Sequence, residues 1–324
     1  MKFLGKDLES NVLLAPMAGI TNLAYREFIK PFGIGISYTE MVSDCGLIYR
    51  NKETYRYLET SELDSPLAIQ LFGGTKETLL EALKIVESKN IDYDYIDVNL
   101  GCPVVKVTKT GAGSAWLNRK EELFEMMSAL VEASSKPVLA KIRIGWDDLH
   151  INVFEIVEVL EKAGVSLIAI HPRTRNQLYM GQARYEIIKD IKSKMKVPLA
   201  ISGDIFSLDQ AIEYQQLTGA DFIMVARGAL GNPYLVTQIA HYFKTGEKLP
   251  PVTLKENLNY LKQHFEKLVE LKGEVVATKE MRGIAPHYLK GFANTKPIRN
   301  MLATQMSTYQ DFLNIISSIH ESDL

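Results

Sequence analysis

Residues 197–226 read VPLAISGDIFSLDQAIEYQQLTGADFIMVA: a short apolar run, a glycine turn, an amphipathic stretch, and a second short apolar run. The two runs are too short for buried helices, while the apolar residues between them recur at helical spacing. A strand, a covering helix and another strand make a parallel crossover, because such a connection lays its helix on the face of the sheet. The same unit extends outward in both directions. Apolar runs stand at VLLAP (12–16), ISYTE (36–40), PLAIQLF (66–72), YIDVNL (95–100), PVLAKIRI (137–144), SLIAIHP (166–172), VPLAIS (197–202) and DFIMVA (221–226). Helical spacing recurs in KETLLEALKIVESK (76–89), RKEELFEMMSALVEAS (119–134), INVFEIVEVLEKAG (151–164), YEIIKDIKS (185–193) and LDQAIEYQQLTG (208–219), with a ninth piece, GNPYLVTQIAHYF (231–243), after the last run. Eight strands alternating with helices predict an α/β fold, a closed (β/α)8 TIM barrel. An open dinucleotide-binding sheet is disfavoured because APMAG, not GxGxxG, follows the first strand.

The chain of 324 residues is long enough for this barrel and a further small unit. KTGEKLPPVT (244–253) reads as a linker, with Pro250 and Pro251 ending one helix before the next. Helical stretches follow around 254–271, 275–288, 296–304 and 308–320, so the predicted organisation is a barrel over 1–243 and an all-helical domain over 254–324. Charge is nearly balanced, 37 Lys and Arg against 39 Asp and Glu. It is uneven locally: Lys272, Lys279, Arg282, Lys290, Lys296 and Arg299 face only Glu274 and Glu280 within 272–305, a patch able to attract a polyanion. No run of about 18 apolar residues predicts a membrane span. MKFLGKDLES does not read as a secretory signal, and two cysteines without a CxxC pair give neither a disulfide framework nor a zinc site. The expectation is a cytoplasmic enzyme without a metal and without an obligate protein partner.

In a barrel, function gathers at the carboxyl ends of the strands, and the residues there are uneven in chemistry. Cys102, between Gly101 and Pro103 just past the fourth strand, sits in a shaped turn. A thiol near its ordinary pKa is mostly protonated at neutral pH and serves as a proton donor, or as a nucleophile if that pKa is lowered. Cys45 has no comparable setting and reads as structural. Lys141, inside the fifth strand, either turns outward beneath a helix or inward as a ligand for an anion or an electron-rich ring edge; Arg143 shares its face. His171 ends the sixth strand, followed by Arg173, Arg175, Gln177 and Tyr179, and no histidine spacing suggests a metal. Ser202–Gly203–Asp204 and Ala226–Arg227–Gly228 end the last two strands, where barrel enzymes build phosphate sites from backbone N–H groups and a nearby cation. Pro16, Met17 and Ala18 could lie against a flat ring. Gln70 and Asn99 are inward amides in need of partners. Together these residues describe a large flat cofactor with a terminal phosphate beside a thiol, which suits FMN.

The sequence resembles the tRNA-dihydrouridine synthases. The likeness is carried by APMAGITNLAYR (15–26), SYTEMV (37–42), QLFG (70–73), DVNLGCPVVKVTKTGAGSAWL (97–117), KIRIGW (141–146), HPRTRNQLYMG (171–181), SGDI (202–205), ARGALGNPYL (226–235) and KEMRGIAPHYLKG (279–291). It spans nearly the whole chain, and DVNLGCP with its later Gly and Ser is the most specific part. The resemblance implies FMN as cofactor and NADPH as electron donor. Hydride would pass from reduced FMN to C6 of a tRNA uridine, in the D-loop region, and a proton from Cys102 to C5. It also makes Met17, Gln70, Lys141, His171, Gly203, Arg227 and Gly228 flavin contacts. Asn99 and Arg173 would hold the target base, with Arg143 beside them, and Lys279, Arg282 and His287 would face tRNA from the helical domain. Pro172 and Ser202 stand where family members often carry glycine and asparagine, and Tyr234 where tryptophan is usual. The principal alternative keeps the flavin and Cys102 but reduces a free pyrimidine.

Overall fold

The computed structural model describes residues 1–319. The eight expected strands are all present: β1 (Val12–Leu14), β2 (Ile34–Tyr38), β3 (Leu67–Phe72), β4 (Tyr95–Leu100), β5 (Val138–Arg143), β6 (Leu167–His171), β7 (Leu199–Ser202) and β8 (Phe222–Val225). Each pairs in parallel with the next, β8 returns to β1, and pairing of Ser37 with Leu67 and Tyr38 with Ala68 completes the closed ring. A two-residue strand, Val42–Ser43, continues the β2 side against the end of β3.

Strand alternation sorts the side chains into two cores. Leu13, Ile36, Tyr38, Ala68, Tyr95, Leu139, Leu167, Ala169, Ala200, Phe222 and Met224 fill the barrel interior. Their neighbours in sequence, among them Val12, Ile69, Ile96, Ala140 and Ile201, face the helices. Phe3 and Leu8, from an N-terminal hairpin formed by Lys2–Phe3 and Lys6–Asp7, join the interior core. Phe3 meets Phe222 edge-on at 5.2 Å and Tyr95 at 5.8 Å, so the hairpin stoppers the interior. Sequence patterning did not foretell this hairpin, since two-residue strands leave no period to read.

The covering layer includes α1 (Leu23–Ile29), α2 (Lys76–Glu87), α3 (Lys120–Ala133), α4 (Val153–Lys162), α5 (Leu208–Thr218) and α6 (Tyr234–Thr245). Their boundaries follow from capping: Thr75 accepts from the Thr78 N–H at the start of α2, and Gly219 ends α5 in the left-handed region. The expected helix YEIIKDIKS is instead two 3-10 turns, Tyr185–Ile188 and Ile191–Lys194, because Asp190 between them takes φ 52°. The piece expected as a ninth helix is α6 itself, covering the barrel after β8 and running to Thr245, inside the expected linker.

Four further helices follow among the described residues: α7 (Leu254–Lys272), α8 (Glu274–Tyr288), α9 (Lys296–Thr304) and α10 (Tyr309–Ser317). They match the expected stretches closely, although the end of the last one, at 320, lies outside the described residues. A Thr253–Glu256 capping box starts α7. His264 of α7 stacks on Phe28 of α1 at 4.8 Å and packs beside Tyr25. Asn257 donates to the Gly231 carbonyl at 2.9 Å and to that of Tyr288, tying the loop after β8 to both α7 and α8. No helix among the described residues is long and apolar enough to cross a membrane.

Candidate active site

Toward the carboxyl ends of the strands the inward positions change from apolar to polar. The register sets them side by side: Gln70 pairs with Asp97, Asn99 with Lys141, and Arg143 with His171. Above them lies a cavity of about 350 Å³. All twelve residues expected to hold a cofactor line it: Pro16, Met17, Ala18, Gln70, Lys141, His171, Ser202, Gly203, Asp204, Ala226, Arg227 and Gly228. Cys102, Asn99 and Arg143 line it as well. Lys141 therefore faces inward, and the outward alternative falls.

A chain of amides fixes the Cys102 turn. The buried carboxyl of Asp97 accepts from Gln70 Nε2 at 2.6 Å, Gln70 Oε1 accepts from Asn99 Nδ2 at 2.9 Å, and Asn99 Oδ1 accepts from the Cys102 and Gly101 N–H groups at 2.8 and 3.2 Å. Backbone N–H groups only donate, so Asn99 must turn Oδ1 toward the Cys102 turn and Nδ2 toward Gln70 Oε1, and the polarity of both amides is locked. The Cys102 carbonyl takes two bonds from Ser114, through N–H at 3.1 Å and the hydroxyl at 2.9 Å. Gly113 lies so close that a Cβ there would stand 2.7 Å from the same oxygen, which accounts for the Gly–Ser of the KTGAGS stretch. Burial pushes the Cys102 thiol pKa up, outweighing the Val104 N–H and the Arg143 and Lys141 charges that pull it down. At neutral pH it holds its proton.

Burial and the adjacent Arg143 lower the Lys141 ammonium pKa to about 8. Its Nζ makes no hydrogen bond among the described residues, which leaves a cation facing the cavity with donors to spare. Arg143 is differently employed. Nε donates to the Gly101 carbonyl at 2.9 Å and Nη1 to those of Thr174 and Leu178 at 2.7 Å, so it ties the Cys102 turn to the loop after β6. Burial and the four surrounding cations, Lys141, Arg143, Arg173 and Arg227, hold His171 well below its usual pKa, hence neutral. Arg173 Nη1 lies 3.1 Å from His171 Nε2. A guanidinium only donates, so Nε2 is the acceptor and the ring proton sits on Nδ1.

Arg173 does not line the cavity. It is 1% exposed and forks onto Asp204 at 2.9 and 2.6 Å, with a further bond to the Gly181 carbonyl at 2.7 Å. It holds His171 and Asp204 from behind, and the expectation that it grips a base is replaced by a positioning role. Asp204, at φ 52°, spends its carboxylate on Arg173, the Ala183 N–H and, at 3.5 Å, Arg227. The N–H groups of Gly203, Asp204, Arg227 and Gly228 donate to no protein acceptor among the described residues. With the half-exposed guanidinium of Arg227 they form a cradle for an anion. The cradle depends on close approach of its two loops, since a Cβ on Gly228 would stand 1.9 Å from the Ile205 carbonyl oxygen.

Lys279, Arg282 and His287 are exposed on α8 and stand apart from the cavity. Arg282 Nε donates to the Met306 carbonyl at 2.7 Å, fastening α8 to the α9–α10 turn. Cys45, expected as structural, is exposed on the short helix Asp44–Ile48. Met41, Tyr179 and Phe206 also line the cavity but were not among the sequence-derived contacts; Tyr179 lies between the Arg143 and Arg227 guanidinium groups, at 5.4 and 5.3 Å. Asp97 was missed too, because its influence passes through Gln70 rather than by contact with the cavity. Among the described residues no group of three or more His, Cys, Asp or Glu side chains is placed to hold a metal ion.

The Asp97 carboxyl offers a check on this electrostatic picture. Burial raises its pKa from 3.8 to about 7, against the opposing pull of Gln70 and Lys141. Between those values the folded chain binds more protons than the unfolded one, so this group's contribution to stability is fullest below pH 4 and is lost as pH rises toward 7. Asp97→Asn removes that dependence. Denaturant midpoints of the variant, relative to the native chain, should rise from about pH 4 to 7 and level off above; a difference flat with pH would contradict the raised pKa.

The chain is similar to known proteins over nearly its whole length. Residues 13–321 match the family described as Dihydrouridine synthase (Dus). A probable tRNA-dihydrouridine synthase of Rickettsia conorii is 34% identical over 321 residues, covering 98% of this chain and 96% of its own. Probable tRNA-dihydrouridine synthase 1 of Synechocystis is 36% identical over 91% of this chain and 82% of its own. The tRNA-dihydrouridine synthase B of Pseudomonas aeruginosa is 35% identical over 94% of this chain and 90% of its own.

Proposed function

The chain belongs to the dihydrouridine synthase family, and on that premise we propose that it reduces the C5=C6 bond of tRNA uridines to 5,6-dihydrouridine, using FMN and NADPH. The observation that carries the reading is a protonated thiol, Cys102, sharing one cavity with the unpaired cation Lys141 and an anion cradle.

The cavity residues fit FMN in kind. The cradle formed by Gly203, Asp204, Arg227 and Gly228 suits a terminal phosphate, Lys141 and the His171 Nδ1–H suit the electron-rich edge of a flat ring, and Met17 with its neighbours Pro16 and Ala18 supplies an apolar wall. Bound FMN would supply hydride for C6 of the uridine after reduction by NADPH. Cys102 gives its proton to C5 and recovers one from solvent. Lys141, a fixed cation in the cavity, would stabilise negative charge on a bound flat ring with no reorganisation during reaction. Arg143, Asn99 and Gln70 keep the Cys102 turn in position.

A uridine must leave its stack to reach a barrel mouth, which costs least where pairing is weak, as in the D-loop region. The helical unit that follows Thr253 gives the rest of the tRNA a surface. Lys279 and Arg282 present charge to phosphates, while burial and Lys290 lower the His287 pKa and leave its ring a neutral contact. Such a substrate places the work in the cytoplasm.

The reading is tested by incubating the protein anaerobically with FMN, NADPH and undermodified bulk tRNA, then analysing nucleosides by mass spectrometry. The expected result is a gain of about two mass units on uridine, from addition of one hydride and one proton, with none on free uridine. Unchanged tRNA alongside continued flavin turnover would remove the substrate assignment. For the cradle, Gly228→Ala should force the two loops apart and weaken FMN affinity by about tenfold or more, by analogy with the cost of an overpacked contact. Flavin fluorescence titration measures this, and unaltered affinity would place the phosphate elsewhere.

A further inference from the structure

A second cavity, of about 440 Å³, backs onto the first. The loop after β1 is their shared wall: Ala15–Ala18 and Ile20 line the first, whereas Gly19, Asn22 and Leu23 line the second. At the end of β2, Met41 faces the first and Glu40 the second. The far side is built by the helical unit, through Leu271, Lys272, Val276 and Glu280.

The polar groups of this cavity are unequal in what they leave free. Arg26 turns each of its three nitrogens to a protein acceptor, Asp64, the Thr21 carbonyl and the Glu59 carbonyl, at 2.7, 2.8 and 2.5 Å. Lys272 holds both oxygens of Glu280 at 2.9 and 3.1 Å, and Arg56 pairs with Glu53 at 3.2 Å. Glu40 is only 6% exposed, and one of its oxygens accepts from the Gly19 N–H at 2.5 Å. The other oxygen has no protein partner among the described residues. A free acceptor open to a cavity between two units of the fold suits an occupant that donates. Phosphate is refused by the carboxylates, but a base is not. Tyr57, Leu271 and Val276 supply apolar surface for a flat ring, and the adjacent N1–H and N2–H groups of guanine are the pair of base-edge donors that a carboxylate can accept together.

We propose that this cavity receives an unstacked guanine of the same tRNA, close to the target uridine, with Glu40 accepting from its Watson–Crick edge. The inference rests on the tRNA reading above and adds a base-reading site to it. Helix α8 serves both tasks: Val276 and Glu280 line the cavity, and Lys279 lies roughly 100° around the helix from Glu280, on the exposed basic face. A nucleotide whose base enters the cavity would leave its phosphate near that face.

The test uses tRNA transcripts in which single D-arm guanosines are replaced by inosine, which lacks the N2 amino group. Affinity and kcat/KM are measured with the native protein, with Glu40→Gln, and with Val276→Trp, which fills the cavity from its other wall. At one position inosine should weaken binding to the native protein by about tenfold, in the range of a lost base contact, and by less than about twofold in both variants. Insensitivity at every position, or an equal loss in all three proteins, overturns the guanine site. Failure of the native protein to bind or reduce the unsubstituted transcript would instead remove the functional reading on which the site depends. Should Glu40→Gln fail to fold, Val276→Trp decides alone.

Discussion

Cys102→Ala should lower the rate of uridine reduction in tRNA by about 10²–10⁴-fold, the usual worth of a positioned general acid, while tRNA affinity changes little. The thiol is the only part of the turn that the substitution removes. The Cys102 N–H remains held by Asn99 Oδ1 and its carbonyl by Ser114, so the backbone keeps its course. Cys102→Ser retains the shape but offers a much weaker acid, and it should resemble alanine more than cysteine. Single-turnover reduction with pre-reduced flavin isolates the step. A rate close to that of the native protein would assign the proton to another donor.

The second large effect concerns stability. Arg26 and Asp64 form a pair at 2.7 Å with side chains 1% and 0% exposed. Two further guanidinium donors reach the Thr21 and Glu59 carbonyls, and Asp64 also accepts from the Ser61 N–H at 3.1 Å. Removing either partner leaves a buried charge without its counterion. Arg26→Ala or Asp64→Ala should therefore cost about 3–5 kcal/mol, read as a fall in the urea midpoint. Because Arg26 anchors the loop that carries Met17 and Ala18, Arg26→Ala should also lower flavin affinity, whereas a change below about 1 kcal/mol would mean that water replaces the guanidinium.

Much of this architecture was written in local patterns. The eight apolar runs and the glycine-marked strand ends were legible because a parallel strand buried on both faces has no polar interruption until it reaches the mouth. Where Lys141 stood inside PVLAKIRI, the interruption itself marked the site. What escaped was non-local. Arg173 looked like a free cation on a polar loop, and only folding brings Asp204 from the next strand end to consume it. Asp97 looked like one more strand residue, although it orients two amides. YEIIKDIKS had helical spacing, yet Asp190 in the left-handed region divides it. The cavity around Glu40 joins residues 19–59 to 271–280, a conjunction that no sequence window contains.

The strict alternation along β5 restricts how this protein can change. Leu139, Lys141 and Arg143 share the inward face, while Ala140 and Ile142 look out toward the helices. Loss of one residue upstream within that strand would exchange the two sets, pressing both cations into the outer core and turning alkyl groups toward the mouth. Point substitutions can therefore adjust such a site by degrees, but length changes within its strands are accessible only two residues at a time. Variation in length among active descendants should accumulate in the connecting loops, leaving the strands with a fixed parity.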